Sequence, residues 1–252
     1  ALGLVAQNSF AMDRVWSVDR PRLPAPHQVV VELWQTTVMK KITSKRSLIY
    51  HAQVTLSATL LGFAIGTGLG ILLAVGIVHS RVMDMSVMPW AIVSQTIPII
   101  ALAPMIIVVL YSIGVQGLLP KAIIAAYLSF FPVVVGMVKG LRSPDHMQLD
   151  LMKTYFASGN QVFWTLRLPS SMPYLFTSLK IGIAASLVGA IVGELPTGAV
   201  AGLGARLLAG SYYGQTVQIW SALFAAAILA ALLVALLGLI ERVLLGRMGV
   251  KA

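Results

Sequence analysis

The side chains able to do chemistry in this sequence are few, and one polar interval between two apolar runs, from Arg142 to Pro173, holds a mixed group of them. There Asp150, Lys153 and Arg167 are mixed with Met152, Tyr155, Phe156, Phe163 and Trp164, ahead of Leu168-Pro169. Charge mixed with large apolar groups suits binding better than bond-making. Read as a short helix, Met152, Tyr155 and Phe156 fall at i, i+3 and i+4, which makes one apolar face. Such a face on a water-exposed loop docks into a groove of another protein. The competing reading is anchoring at a membrane interface, where aromatic rings gather. An interval this long between two apolar runs is usually functional, and its charged middle favours docking.

The remaining polar candidates lie inside apolar runs. Ser94, Gln95 and Thr96 precede Pro98, so polar side chains coincide with loosened backbone, as a translocation pathway would need. Gln95 equally fits a hydrogen bond between helices. Glu194 is the only acidic residue in the outer half of an apolar run, which makes it a functional candidate by default. A helix-end charge at the water boundary explains it as well. Gln95, Thr96, Tyr127 and Glu194 are therefore the pathway candidates, and Tyr127 with Gln95, Tyr212 and Tyr213 would suit a polar or aromatic organic solute. Lys180, near the start of its run, can snorkel to the interface.

Enzyme chemistry has little to stand on. His27, His51, His79 and His146 are scattered, and neither His-Glu-x-x-His nor Gly-x-Ser-x-Gly occurs. There is no Gly-x4-Gly-Lys-Ser/Thr, so this chain is not expected to hydrolyse ATP. With no cysteine, thiolate and Cys-based metal or redox chemistry are excluded. No catalytic or metal-ligating set is assigned. Gly66-Thr-Gly68-Leu-Gly70 has the look of a nucleotide loop but sits in an uncharged apolar run. Gly62, Gly66 and Gly70 repeat every four residues and make a small-residue face for a neighbouring helix.

The elements that must position these residues are membrane helices. The 252 residues are 58% hydrophobic and 10% charged, against about a quarter charged in soluble domains, and mean hydropathy is +0.88. Charges are confined between uncharged runs at 52–78, 85–120, 122–138, 181–193 and 207–240. Repeated runs of this length specify an all-α, polytopic membrane helical bundle. Five complete spans are expected at about 52–78, 85–111, 121–140, 174–195 and 218–240. The second is interrupted by Pro89, Pro98 and Pro104, the third by Pro132. Residues 1–50 form an N-terminal segment and 51–252 the membrane domain, with the polar loop at about 141–173. The sequence begins with Ala1 and not Met, so residues 1–6 read as the tail of a first helix cut short. After the extended Leu23-Pro-Ala-Pro26, residues 28–41 read as an amphipathic surface helix. Val30, Val31, Trp34 and Val38 share one face, and packing against the bundle explains them equally well.

The net charge of +10 fits Lys and Arg anchoring loops against headgroups better than nucleic acid. Five spans put the polar loop and the C-terminus on one side. Arg81, Arg142, Lys153, Arg167, Arg242, Arg247 and Lys251 make that side cytoplasmic. Residues 14–46, outside by this count, hold seven Lys or Arg and run against the rule.

The polar loop also resembles a known family. Permease subunits of bacterial ABC importers carry Glu-Ala-Ala, three residues, Gly, nine residues and Ile-x-Leu-Pro. Asp150-Leu151-Met152, Phe156, Leu166 and Leu168-Pro169 stand at that spacing. The acidic residue and Leu-Pro are kept, whereas Gly and both Ala are replaced. Across about 23–242 the chain is similar to the nitrate/sulfonate/taurine-type permeases. The ordered matches are Leu23 to Pro26, His51, Gly62-Phe63, Ile97-Pro98, Ala101 to Pro104, Phe131-Pro132, Pro173, Glu194 and Gly202 to Gly204. Lys180 stands where a basic residue is usual.

The resemblance implies a type I importer permease in the bacterial inner membrane, paired with a second copy of itself and surrounded by lipid. It implies a cytoplasmic ATPase dimer, which would hold ATP and Mg, and a periplasmic or lipid-anchored binding protein. ATP-driven closure would push on the 150–168 segment and alternate access between the copies. The competing class, an ion-coupled secondary transporter, usually needs ionisable groups within spans. Here Lys180 and Glu194 are almost the whole supply. The family's substrates range over nitrate, sulfonates, taurine, bicarbonate and pyrimidine-type vitamin precursors. With no arginine inside a span, a small organic compound is expected over an inorganic anion.

Overall fold

The computed structural model describes residues 23–41, 44, 46–196 and 201–248. The expected helix tail at residues 1–6 lies outside them, as do Arg14, Arg20, Arg22, Lys45 and Lys251. Among the described residues every regular element is a helix. Four helical stretches are long and apolar enough to cross a membrane. They are α2 (Leu48–His79), α5 (Leu118–Leu141), the stretch Gly159–Glu194, and α10 (Thr216–Arg247). The shortest has 24 residues, about 36 Å of helix against about 30 Å of hydrocarbon.

The fifth hydrophobic stretch is broken. It forms α3 (Arg81–Ser94) and α4 (Ile99–Ser112), bent by 102° at the intervening residues. Pro98 has no N–H to continue α3 and disfavours helix at Ile97, so the chain turns there. The interrupted span expected at 85–111 is thus two shorter helices. They still return the chain across the bundle, as the packing of α2 on α5 requires. A Cβ on Gly62 would run into Ala125, one on Gly66 into Ser129, and one on Gly70 into Val133. Both numberings rise together, so α2 and α5 are parallel and the chain between them must come back.

Close approach through small residues fixes the centre of the bundle, as expected where lipid offers no hydrophobic drive for association. From the other side, Gly140 and Gly136 of α5 meet Ser171 and Ser178, while Gly189 and Gly193 meet Ala125 and Lys121. Central α5 is therefore clasped between α2 and the stretch ending at Glu194. Ser186 adds a hydrogen bond to the Thr59 carbonyl at 2.8 Å. α10 lies outside, with Leu232, Leu236, Leu239 and Val243 exposed towards lipid.

α1 (Pro26–Thr37) packs one face on the bundle and leaves the other exposed. Val29 is buried, and Leu33 packs with Leu48, Leu203, Ala222 and Ala226. Val30, Val31, Trp34 and Val38 point outward.

The polar interval is the largest departure from expectation. It folds as α6 (His146–Thr154), then α7 (Gly159–Val162), a π-helical turn (Phe163–Arg167) and α8 (Leu168–Glu194) without interruption. The non-helical connection before α7 is only 155–158. Leu168-Pro169 and Pro173 do not close a loop; they lie inside a 36-residue helical stretch. Pro169 cannot donate to the Thr165 carbonyl and would crowd it. The widened turn, with Leu168 N bonded to the Phe163 carbonyl, is how the helix absorbs the proline.

Candidate functional site

The end of the bundle holding His79, Leu141 and α6 carries the docking candidates. α6 is stopped sharply at both ends. Asp145 caps the start, accepting from His146 N at 2.7 Å, while Gln148 Oε1 accepts from Asp145 N at 3.2 Å. At the other end Ala157 N donates to the Met152 carbonyl at 3.0 Å and Phe156 N to the Lys153 carbonyl at 2.9 Å. That pair of bonds is a Schellman closure, and it puts Phe156 at the left-handed position with φ of 54°. Ser158 then caps α7, with Gln161 Oε1 accepting from its N–H at 2.7 Å.

No residue of α6 is buried. Its exposed apolar stripe is Met147, Leu151 and Tyr155, at i, i+4 and i+8, extended by Phe156. This differs from the expected Met152–Tyr155–Phe156 face: Met152 is half-buried, and Phe156 lies beyond the helix. Met147 and Leu151 were legible in that i, i+4 spacing but overlooked beside the larger rings. Asp150 and Lys153 pair at 2.8 Å. That hydrogen bond and the Lys153 charge hold the Asp150 carboxyl below its ordinary value.

Phe163 is set apart from the other docking candidates. It is 8% exposed, with its ring 5.1 Å from that of His79, and it packs with Ile77, Val134, Met137 and Leu141. It is a core residue that ties α7 to α2 and α5, so it is not free to enter a partner's groove. Trp164, edge-on to it, is exposed, whereas Leu168 and Pro169 are half-buried in the helix. Arg167 donates to the Leu141 carbonyl at 3.3 Å, and Arg142 pairs with Asp84 at 2.8 Å.

Three of the four pathway candidates gather at the broken end of α3, and Glu194 makes its contacts elsewhere. Tyr127 donates its hydroxyl to the Ser94 carbonyl, a strut from α5 to the end of α3. Gln95 donates to Ser94 Oγ at 3.4 Å and Thr96 to the Val93 carbonyl at 2.8 Å. These polar groups close the broken end of α3. Glu194 is 0% exposed, at the far end of the bundle from α6. Its carboxylate accepts from Thr55 Oγ1 at 2.8 Å and from Gly204 N at 2.7 Å. Thr55 accepts in turn from Leu203 N at 2.8 Å, and His51 Nδ1 from Gly202 N at 3.0 Å. Together they cap α9 (Leu203–Tyr212). A Cβ at Gly202, where φ is 127°, would fall on the Glu194 carboxyl, which is why Gly-Leu-Gly stands there. Glu194 is thus not an exposed boundary charge but a buried group that caps α9. Lys180 pairs with Glu241 of α10.

A different, largely apolar groove with a few polar groups was missed. Between α5 and α8 lies a groove of about 590 Å³, lined by Pro132, Lys139, Pro173, Tyr174 and Thr177 among others. Lys139 Nζ stands 5.8 Å from the centre of the Tyr174 ring. Pro132 and Pro173 each leave a carbonyl one turn back without its helical donor. An ammonium, a phenol and a hydroxyl side by side are out of place against lipid but at home in a wet cavity.

Comparison with known proteins agrees with this architecture. Residues 66–250 match the model of the family described as binding-protein-dependent transport system inner membrane component. The formylaminopyrimidine transport permease protein ThiX of Halalkalibacterium halodurans is 35% identical over 183 residues, 72% of this chain and 68% of that protein. The riboflavin transport system permease protein RibX of Chloroflexus aurantiacus is 31% identical over 222 residues, 88% of this chain and 79% of that protein. The putative aliphatic sulfonates transport permease protein SsuC of Bacillus subtilis is 23% identical over 223 residues, 88% of this chain and 77% of that protein. The chain belongs to the family of binding-protein-dependent inner-membrane components: it is a multi-pass permease subunit of an ABC importer.

Proposed function

We propose that this permease takes its energy from a separate cytoplasmic ATPase docked on α6. The observation that carries this is the exposed stripe Met147–Leu151–Tyr155 on a helix capped at both ends and buried nowhere. A rigid amphipathic helix joined to α5 and α7 by short connections transmits a push into the spans. In this reading two copies of the chain form one pathway in the lipid bilayer, and two ATPases bind ATP and Mg below it. A binding protein delivers solute from the opposite end, where α9 exposes Tyr212 and Tyr213. Reconstituted vesicles test the coupling. ATP hydrolysis by the assembled complex should rise when the loaded binding protein is added, and Leu151→Asp with Tyr155→Asp should remove that rise. Stimulation unchanged in this double variant would refute α6 as the coupling element.

The pathway is best placed along the groove between α5 and α8. The groove contains Lys139, Tyr174 and Thr177, whereas the outward faces of α4 and α10 expose chiefly aliphatic side chains. A cation beside an aromatic ring, with no carboxylate among the lining residues, suits a small flat solute with acceptor or anionic groups. A heteroaromatic compound of the kind named for ThiX and RibX has that chemistry. Because the chain has no native cysteine, single cysteines report directly. Thr177→Cys should react with a membrane-impermeant thiol reagent and Leu236→Cys on the outer face should not. Equal labelling would remove the groove from the pathway.

A further inference from the structure

We propose that Phe156 is the residue by which this permease selects its ATPase, its ring acting as a plug for an apolar pocket on the ATPase surface. This rests on the reading of α6 as the coupling helix and names what that contact recognises. Phe156 is the only non-glycine with positive φ among the described residues, and it is 94% exposed. The Schellman closure of α6 asks for a left-handed residue there, a place glycine fills without penalty. A phenylalanine costs backbone energy at that position and exposes an aromatic ring to water as well. Among the described residues nothing packs over the ring to offset either cost. Strain held at an exposed position is the mark of a side chain kept for a contact outside the chain.

The surroundings define the partner's chemistry. Tyr155, Leu151 and Met147 continue the apolar surface, and all are exposed. The nearby charges of Asp150 and Lys153 satisfy each other. The contact is therefore an uncharged pocket deep enough for a phenyl ring, with a flatter apolar rim for the α6 stripe. Buried aromatic anchors of this kind carry most of the energy of an interface. An ATPase whose surface offers a shallow or charged depression at this point would be rejected.

Photo-crosslinking in membranes containing the whole transporter tests this. A benzoylphenylalanine placed at Phe156, and in a second variant at Met147, is irradiated and its adducts are identified by mass spectrometry. The expected adduct at Phe156 is a peptide of a subunit carrying Gly-x4-Gly-Lys-Ser/Thr. Phe156→Gly should cut the ATPase co-purified with the permease by about tenfold or more, while Phe156→Tyr retains it. The melting temperature of Phe156→Gly should hold or rise, because the left-handed strain is relieved. An ATPase adduct from Met147 but none from Phe156, or full ATPase capture by Phe156→Gly, overturns the selection role and leaves α6 as the coupling helix. No ATPase adduct from either position overturns both. An adduct of Phe156 with lipid alone makes the ring a membrane anchor and overturns the proposal.

Discussion

Glu194 Oε2 accepts the backbone N–H of Gly204 at 2.7 Å, and this one bond joins the end of a membrane span to the start of the next helix. The carboxylate is 0% exposed and holds Thr55 of α2 at the same time. Three elements are therefore fixed through a single side chain, at the end of the bundle away from α6. Removing it strands donors that have no water to turn to, each costing about 1–3 kcal/mol. Glu194→Ala is expected to lower the melting temperature markedly and to free α9. Gly202→Ala should do the same, since its Cβ would fall on the carboxyl. Thermal melting in detergent and protease sensitivity of 203–215 measure both. A Glu194→Ala protein as stable as wild type would return Glu194 to the pathway.

The membrane fold was legible because uncharged runs admit little but spanning helices. The breaks within it were not. Pro98 announced an interruption, but whether a proline kinks a helix or parts it depends on what waits beyond. Here Tyr127, 33 positions on, reaches the Ser94 carbonyl and stabilises the parted end. Pro169 and Pro173 misled in the opposite direction: they suggested a loop, yet the chain widens one turn and continues. Spacing marked the docking segment but could not tell buried from exposed within it. Phe163 and Trp164 are neighbours in sequence, and only the packing of the first on His79 and Leu141 separates core from surface.

That separation is testable. Tyr155→Asp should leave folding and insertion intact while weakening ATPase capture, because Tyr155 is exposed. Phe163→Asp should fail earlier, by putting a carboxylate into a core cluster, and large-to-polar core changes of this kind cost several kcal/mol. Size-exclusion profiles of the solubilised proteins distinguish the two, with only the second expected to aggregate. A monodisperse, stable Phe163→Asp would mean the ring is free to dock after all.

Lys180 and Glu241 make a second link, from α8 to α10. Both side chains are partly shielded, so loss of one partner leaves a poorly solvated charge, a cost of about 3–5 kcal/mol when such a pair is fully buried and less here. Lys180→Met alone and Glu241→Gln alone should each lower stability. The double substitution should recover much of the loss, since an uncharged pair of similar volume leaves neither charge without its partner. A double-mutant cycle on melting temperatures reads the coupling, and strictly additive losses would show that the two act separately.

The glycine face of α2 offers the sharpest contrast. Gly66 and Gly68 are two residues apart in one helix, and the four-residue repeat of Gly62, Gly66 and Gly70 sets only the first on the small-residue face. In the bundle a Cβ on Gly66 would collide with Ser129 and with the Ala126 backbone, whereas one on Gly68 would meet nothing within 4 Å. The collision cannot be relieved by a rotamer change, because part of it is with main chain; α2 and α5 would have to separate and lose their contact along the whole seam. Gly68→Ala should instead gain about 0.5–1 kcal/mol by stiffening the helix. Parallel measurement of expression and melting temperature for Gly66→Ala and Gly68→Ala should give a loss for the first and a small gain for the second. Equal tolerance at both would mean that α2 and α5 do not meet along this face, and with it would go the parallel packing that makes the bent pair a crossing.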